Sequence, residues 1–282
     1  MHLHPVKLHE PVTILMVPLD QYSAFPGAVD AVLKETRLPF ELILIEGNAP
    51  ESIRHKLEQR KKSHKNIKII YSAHRPRMAE AFNLGLVHIR TRIAFFTHNN
   101  VRATSLWLEH LLKQAKDNPG VVCPYVARHE NTVRERNLPE VDMNGFLVTK
   151  ELLHLIDSFD ENVSVPLLGL DLGQQLKKHG VAIHRDPFTV LEYEPASFSK
   201  LFDLKFFQHQ WNEKHVRESV HYMRKKWTLK LHEFKYVEWL QKRKHVLQKR
   251  PMEVTFGWHD MPPSLGFPKV SLQKFLQALI RA

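Results

Sequence analysis

The feature that most constrains the fold is an alternation of short apolar runs with helix-forming segments of about ten residues. Strands that alternate with helices of this length form right-handed βαβ units and a mostly parallel sheet. In such sheets ligands bind beyond the carboxyl ends of the strands, so the residues just after each strand are the candidate functional residues. Strands are predicted at 12–17, 41–45, 67–71, 93–96, 121–123, 145–148 and 181–183, and helices at 28–34, 52–63, 79–89, 106–115, 150–156 and 171–179.

The positive charge of the chain is concentrated near its C-terminus. The 282 residues carry a net charge of +11, and the segment from Lys200 to Arg250 holds fourteen Lys and Arg against five Asp and Glu. A basic excess of this kind is typical of contact with nucleic acid, anionic lipid or a phosphorylated ligand, or of a solvated helix face. The segment lacks the Gly-aromatic motifs of single-strand binders, so a nucleic-acid partner is not expected.

The same segment is predicted to be helical, and a further short helix is predicted at 271–280. An apolar stripe with steps of three and four residues indicates an amphipathic helix. We expect the stripe to pack on the protein's own core, with a peripheral contact to an anionic membrane as the alternative. The stripe consists of Val216, Val220, Met223, Trp227, Leu231 and Phe234.

Cysteine content and hydropathy exclude several classes of protein. The single cysteine, Cys123, allows no internal disulfide and is typical of a reducing compartment. No apolar run reaches the roughly 18–20 residues that a membrane-spanning helix requires. Residues 1–5 contain no apolar core of a signal peptide. The sequence therefore predicts a cytoplasmic protein, with peripheral attachment to the membrane as an alternative.

Six local patterns, in the same order along the chain, resemble those of the family 2 glycosyltransferases, which are inverting enzymes of the GT-A fold. The resemblance covers about residues 10 to 195. The patterns are Val17-Pro18, the segment Thr36 to Glu46, Arg77 to Gly85 with Ala81 and Asn83, Phe95 to Val101 followed by Trp107-Leu108-Glu109, Gly145 with Ser158-Phe159-Asp160-Glu161, and Leu170-Asp171-Leu172.

The resemblance implies an α/β protein of the GT-A class, with a Rossmann-like, mostly parallel central sheet flanked by helices. Residues 1–198 would form the GT-A domain and residues 199–282 a helical basic C-terminal extension. The implied activity is that of an inverting hexosyltransferase-type enzyme, which moves a sugar from a nucleotide-diphosphate donor to an acceptor hydroxyl. A glycan or a lipid-linked molecule is the expected acceptor.

The resemblance also assigns donor-binding residues. Glu46 stands where the family places an aspartate that contacts the nucleotide base, and the alternative for it is an ordinary exposed glutamate at a turn. Arg75 and Arg77 are expected near the nucleotide, or else as solvated loop charges. The expected nucleotide-sugar-binding residues are Pro18, Glu46, Arg75, Arg77, Asn83, His98, Asn99 and Asn100.

The metal site departs from the family pattern, because Asn100 stands where the last signature aspartate is expected. Mg²⁺ is usually held by one or two carboxylates plus substrate phosphates, and an amide oxygen lacks their charge. His98, Asn100 and Glu192 are weak candidate ligands for Mg²⁺ or Mn²⁺. Three accounts stay open. The first is a metal-independent enzyme that uses Arg and Lys of a basic loop at 127–141 and of the basic C-terminal segment, which would form a cationic lid over the donor diphosphate. The others are weak metal binding, or a non-catalytic scaffold that binds a glycan, a lipid head group or a partner protein.

The catalytic base is the second departure. Leu168 and Gly169 replace the paired carboxylates of the family, and only Asp171 remains. Asp171 is predicted at the start of a helix, where the helix dipole lowers the pKa of a carboxyl group and weakens it as a base. A role as the N-terminal cap of that helix is the alternative to catalysis.

Overall fold

The structure is a computed structural model that describes residues 6–127, 135, 137–156, 158–198 and 200–249, with side chains described as far as 244. The helix predicted at 271–280 lies outside these residues. So do three arginines of the predicted basic loop, Arg128, Arg134 and Arg136.

One eight-stranded sheet, with the order β3-β2-β1-β4-β7-β6-β8-β5, forms the centre of the molecule. The strands β3, β2, β1 and β4 are mutually parallel, β6 and β8 are also parallel, and β7 runs antiparallel between β4 and β6. The predicted α/β fold with a mostly parallel sheet is confirmed. The strands are β1 (Val12–Val17), β2 (Phe40–Ile45), β3 (Ile67–Ile70), β4 (Ile93–His98), β5 (Val101–Arg102), β6 (Val121–Ala127), β7 (Gly145–Thr149) and β8 (Ile183–Tyr193).

Helices cover both faces of this sheet. Every residue of β1 and of β4 is buried, as expected for strands of a parallel sheet with a helical layer on each side. Two hydrophobic clusters result, one on each face. The helices are α1 (Phe25–Glu35), α2 (Glu51–Ser63), α3 (Met78–Leu86), α4 (Trp107–Asp117), α5 (Lys150–Leu153), α6 (Val165–Lys178), α7 (Leu201–Gln210), α8 (Glu213–Trp227) and α9 (Glu233–Lys249).

Two predicted element boundaries differ from the structure by six residues or more. The helix predicted to start at Asp171 begins six residues earlier, at Val165, because Pro166 lies in the first turn, where its fixed φ and missing N–H are tolerated. Asp171 is therefore in the middle of α6, so neither the predicted dipole effect nor the alternative N-cap role applies. The strand predicted at 181–183 is β8, which continues to Tyr193 through an irregularity in its pairing with β6.

The three C-terminal helices pack on the rest of the protein, as the apolar stripe predicts. Val216, Val220 and Met223 are fully buried, whereas Phe234 lies beyond the end of α8 and is 76% exposed. Residues from both sides of the predicted boundary at 198 share one hydrophobic cluster, and the division into two domains stays a prediction. None of the described helices combines the length and the apolar composition needed to cross a membrane.

Candidate active site at the carboxyl edge of the sheet

The parallel strands β1, β2 and β4 end at the same edge of the sheet, and the turns that follow them carry buried polar residues. Asp20 and Gln21 lie after β1, Glu46 directly follows β2, and Asn99 and Asn100 directly follow β4. Each of these five side chains is at most 2% exposed. The edge predicted to bind ligands is therefore also the place where the fold concentrates buried polar groups.

The turn after β4 is fixed by hydrogen bonds. The Oδ1 atom of Asn99 accepts from the backbone N–H of Leu19 at 3.0 Å, and Oδ1 of Asn100 accepts from that of Asp20 at 3.1 Å. The amide group of Asn100 also donates to the carbonyl of Glu194 at 3.1 Å. Both asparagines thus hold together the loops that follow β1 and β8, as well as lying at the candidate donor site.

His98, at the end of β4, is fully buried and anchors the same turn. Its Nδ1 atom accepts from the backbone N–H of Asn100 at 3.2 Å, and its Nε2 atom lies 3.1 Å from Oδ1 of Asn144. Burial lowers the pKa of His98, although its contact with Asn144 and the charge of Asp20 act in the opposite direction. The imidazole is therefore neutral at neutral pH.

Asp20 is the buried carboxylate at the centre of this edge. Its Oδ2 atom lies 2.6 Å from Nη2 of Arg243 and accepts from the hydroxyl of Tyr193, and its Oδ1 atom accepts from Nε1 of Trp211 at 2.7 Å. Burial alone would raise the pKa of Asp20, but the charge of Arg243 and these hydrogen bonds hold it below its ordinary value. Asp20 is consequently ionised at neutral pH.

Arg243 comes from α9 and is itself only 4% exposed. The centre of its guanidinium lies 4.6 Å from the ring centroid of Trp211 and 5.8 Å from that of Trp239, distances typical of cation–π contacts. Its Nη2 atom also donates to the hydroxyl of Tyr193 at 2.8 Å. The C-terminal extension therefore places a positive charge at the edge where β1, β4 and β8 end.

A small cavity of about 50 Å³ lies beside this cluster. Its volume accommodates water molecules but not a nucleotide sugar. Carboxylates also face it, since Glu140 and Asp142 belong to its wall. Other residues in its wall are Leu19, Met78, His98, Asn144, Gly169, Arg185, Tyr193, Trp211, Trp239 and Arg243.

Glu46 lies at the predicted base-binding position, but it is fully buried rather than exposed at a turn. Its two carboxylate oxygens accept from Nε of Arg54 at 3.1 Å and from the backbone N–H of Asn48 at 3.0 Å. Pro18 packs against the adjacent Gly47, which has a φ of +69°. Both predicted residues therefore belong to one buried corner of the edge.

The turn before α3 carries the two predicted arginines and is covered by the C-terminal helices. The carbonyl of Arg75 lies 2.9 Å from Nε2 of His209, and that of Pro76 accepts from the side chain of Gln210 at 2.7 Å. Arg77 precedes α3, and its charge helps to lower the pKa of His215 on α8. Both arginines are partly buried, so neither is a freely solvated loop charge.

Asn83 lies away from the other predicted donor-binding residues. Its amide group donates to the carbonyl of Phe159 at 2.8 Å and to the Glu161 carboxylate at 2.9 Å, and its Oδ1 atom accepts from the backbone N–H of Phe159 at 2.9 Å. These contacts fasten α3 to the segment before α6. They account for Asn83 without any ligand.

Asp171 also lies apart from the cavity. It is two residues from Gly169, which lines the cavity, and two residues correspond to about 200° around a helix. Its oxygens lie 2.7 Å from Nζ of Lys226, 2.6 Å from Nε1 of Trp227 and 2.8 Å from Nε2 of Gln175. Asp171 is 1% exposed, and these contacts join α6 to α8.

The residues at the edge do not fit a divalent metal. The Oδ1 atom of Asn100 and both nitrogens of His98 are used within the turn, and Glu192 is exposed next to the buried Tyr193 on β8. Within the part of the chain that the structure describes, no group of three His, Cys, Asp or Glu side chains is arranged to hold a metal ion. The carboxylate of Asp20, whose backbone N–H contacts this turn, is ion-paired with Arg243.

Three central residues of the site, Asp20, Tyr193 and Arg243, were not predicted from the sequence. Asp20 follows the first strand, so the rule that ligands bind beyond strand ends would have found it. Tyr193 was missed because β8 was predicted to end at residue 183, ten residues before its actual end. Arg243 is 223 residues from Asp20 along the chain, and nothing in its local sequence distinguishes it from neighbouring basic residues.

Comparison with known proteins agrees with this geometry. Residues 14–164 match the model of the family described as "Glycosyl transferase family 2". No curated protein matches the chain in sequence.

Two solved structures share the fold. One is the mannosyltransferase PcManGT from Pyrobaculum calidifontis in complex with GDP-Man and Mn²⁺, with a TM-score of 0.58, 14% identity, and coverage of 87% of this chain and 74% of that one. The other is GalNAc-T7 with UDP, GalNAc and Mn²⁺, with a TM-score of 0.55, 13% identity, and coverage of 84% of this chain and 55% of that one. With the family match covering more than half of its residues, the chain belongs to glycosyl transferase family 2 and has the GT-A fold.

Proposed function

We propose that the protein transfers a hexose from a nucleotide-diphosphate sugar to an acceptor hydroxyl, with inversion at the anomeric carbon and without a metal ion. The observation that carries this proposal is the convergence of the turns after β1, β2 and β4, and of the loop between β3 and α3, at one edge of the sheet of a family 2 chain. GDP-Man in one structural neighbour and UDP in the other support a nucleotide-linked donor.

We propose that the nucleotide base binds in the corner that contains Pro18 and Glu46, and that the neighbouring Arg75 and Arg77 also contact the nucleotide. Arg75 lies close enough to Tyr22, which donates to the carbonyl of Gly47, for its charge to act on the pKa of that tyrosine. The four predicted residues thus lie around one corner of the sheet edge. His98, Asn99 and Asn100 then hold the adjoining turn in place under the sugar diphosphate.

An acceptor hydroxyl must lose its proton to a base that faces the reacting atoms. Asp142 lines the cavity, and its Oδ1 atom accepts from the side chain of Asn144 at 2.6 Å, which in turn contacts His98. That Asp171 is the base stays a prediction, but its contacts with Lys226 and Trp227 favour a structural role. We therefore propose Asp142 as the first alternative to Asp171.

One observation favours a second candidate function, a non-catalytic scaffold. The cavity is only about 50 Å³, and Trp211, Trp239 and Arg243 line it. Either the C-terminal helices move to admit a donor, or the site does not bind one. A scaffold would use the same fold to hold a glycan, a lipid head group or a partner protein.

Calorimetric titration with UDP, GDP and dTDP, each in EDTA and in Mn²⁺, tests the proposal. We expect one of the three to bind in both solutions, and release of that diphosphate from its hexose conjugates when acceptor glycans or lipid-linked acceptors are added. If none of the three binds at millimolar concentration, the proposed function is wrong. Binding of a nucleotide sugar without turnover across the acceptor panel would support the scaffold.

Turnover then allows the two candidate bases to be compared. We expect Asp142→Asn to lower kcat by about a hundredfold or more, the usual contribution of a general base. Asp171→Asn should leave kcat within about tenfold of wild type, the scale of an indirect structural effect rather than of a missing base. The reverse order would show that Asp171 is the base in spite of its contacts. Release of the α- or β-anomer, read by proton NMR, tests inversion independently.

A further inference from the structure

We infer that Arg243 supplies the positive charge that a divalent metal would otherwise bring to the leaving diphosphate. This inference rests on the proposed function and names the residue that makes transfer without a metal chemically feasible. It starts from a mismatch: the two structural neighbours hold Mn²⁺, whereas the polar groups of the turn at His98 to Asn100 are occupied by internal hydrogen bonds.

The position of Arg243 is the first support. Its guanidinium contacts Asp20 at the end of β1 and Tyr193 at the end of β8, and its charge acts on the pKa of His98 at the end of β4. Three strands thus end around this one cation. A ligand that binds beyond the carboxyl ends of these strands would meet the guanidinium directly.

Burial is the second support. A buried ion pair contributes little net stability, because removing both charges from water costs about as much as their attraction returns. The pair of Arg243 with Asp20 is almost fully buried, with side chains 3% and 0% exposed. Arginine keeps its charge in such a site, and a phosphate would feel that charge strongly because little water screens it. Function explains the pair better than stability does.

The other arginines at this edge are less suited to the role. Arg102 is bound to the Glu194 carboxylate and to the carbonyl of Asn99. Arg185 also lines the cavity, but its side chain is 45% exposed and lies 3.5 Å from Asp142. The guanidinium of Arg243, by contrast, lies against three aromatic rings. These are Phe207 on α7, Trp211 directly after α7, and Trp239 on α9.

The reaction balances without a metal. The bond between the anomeric carbon and the diphosphate oxygen breaks, and that oxygen keeps the electron pair. The acceptor oxygen forms the new bond to the anomeric carbon, and its proton passes to a carboxylate of the protein. Arg243 is unchanged, since it stabilises the negative charge that develops on the diphosphate as a fixed, preorganised cation.

The small size of the cavity adds a condition. About 50 Å³ cannot hold a diphosphate, so part of the cavity wall must shift for the diphosphate to reach Arg243. Asp20 would then hold Arg243 in position, and the diphosphate would contact the same guanidinium.

The test measures how much the β-phosphate contributes to binding. We titrate the full chain, in EDTA, with UDP, GDP and dTDP and with the corresponding monophosphates. For the nucleotide that binds, we expect wild type to prefer the diphosphate by about tenfold to a hundredfold, the effect of hydrogen bonds to a charged group. Arg243→Met should reduce this preference to about twofold or less, the level left by weak screened charges. Lys242→Met, which removes an exposed charge from the same helix, should keep the wild-type preference.

Loss of the buried cation could unfold the protein, because Asp20 would remain unpaired. The double variant Asp20→Asn/Arg243→Met removes both charges, and circular dichroism reports whether it folds. It should also lack the diphosphate preference. The inference is overturned if either folded variant keeps that preference, or if the wild-type preference disappears in EDTA and returns with Mn²⁺. Absence of all nucleotide binding by wild type would instead contradict the proposed function.

Discussion

Asp20 and Asp171 are two buried aspartates with nearly the same partners and different surroundings. Each contacts a cation from the C-terminal helices and the Nε1 atom of a tryptophan, Arg243 and Trp211 for Asp20, and Lys226 and Trp227 for Asp171. Asp20 follows a strand at the edge that we propose to bind the donor. Asp171 is in the middle of a helix, on the side away from the cavity.

The partners of the two cations explain why the networks differ. Lys226 also contacts Asp160 at 2.7 Å, and Asp160 accepts from the hydroxyl of Tyr222 at 2.7 Å. Burial alone would raise the pKa of Asp160, but Lys226 and Tyr222 hold it below its ordinary value. Two carboxylates thus share one lysine at the junction of α6 and α8. The network around Asp20 borders the cavity at the carboxyl edge of the sheet, whereas Asp160, Lys226 and Trp227 border a different and larger pocket beside α6 and α8. The two networks therefore differ in position, one at the ends of strands and the other at a junction of helices.

The largest difference should appear in activity. Asp20→Asn removes the carboxylate that positions Arg243, and we expect kcat/KM to fall by about a hundredfold, the cost of misplacing a catalytic group by about 1 Å. The initial rate of diphosphate release measures this effect. Because Asn retains oxygen and nitrogen atoms that can contact Tyr193 and Trp211, the fold should survive, which circular dichroism checks. Equal activity of Asp20→Asn and wild type would show that Asp20 has no role in catalysis.

The contribution of the Lys226 network should appear in stability. Lys226→Met leaves Asp160 and Asp171 without their shared cation, and we expect it to lower the free energy of unfolding by about 2 kcal/mol, less than for a fully buried pair because Lys226 is partly exposed. Urea unfolding measures the change. Its neighbour Lys225 is exposed, and Lys225→Met should change the same quantity by less than about 0.5 kcal/mol. Similar values for the two variants would mean that the network contributes no stability.

The sequence predicted the region of the site better than its contacts. Apolar runs and their spacing located the strands of the parallel half, because burial on both faces leaves a continuous pattern. The start of α6 was placed at Asp171, where the family motif opens a helix, although Pro166 in the first turn marks the observed start. The extent of β8 was missed because the strand contains Pro187 and an irregular register.

Local sequence patterns do not show which side chains far apart along the chain form hydrogen bonds or ion pairs. The partners of Asp20 are Tyr193, Trp211 and Arg243, between 173 and 223 residues further along the chain. Asp171 matched a family motif, but a motif does not specify which face of a helix its carboxylate occupies. The helical and basic nature of the C-terminal segment was predictable, whereas the single arginine that it inserts at the sheet edge was not.

The smallest expected effect is on the pH dependence of stability, to which three histidines near the C-terminal helices or the sheet edge contribute. Burial lowers the pKa of His98 at the end of β4, of His209 on α7 and of His215 on α8. The pKa of His215 falls from 6.5 to about 4, and the charge of Arg77 contributes to this decrease. The Nε2 atom of His215 has no hydrogen-bond partner among the residues that the structure describes. Below pH 6.5 the unfolded chain therefore takes up protons that the folded chain does not. The free energy of unfolding should fall as the pH decreases from about 6.5 to about 4.

His215→Gln should make this decrease smaller by about 1 kcal/mol, a value reduced for the partial solvation of the ring. The remaining decrease comes from the other buried histidines and, towards pH 4, from carboxylates such as Asp160, whose pKa is lowered by Lys226 in spite of burial. His64 is exposed at the end of α2, so His64→Gln should follow the wild-type curve. Urea titrations at intervals between pH 4 and pH 7 measure all three proteins. If His215→Gln and wild type lose stability in parallel, His215 is protonated in the folded state, and the packing of α8 over Arg77 does not exclude water as the structure indicates.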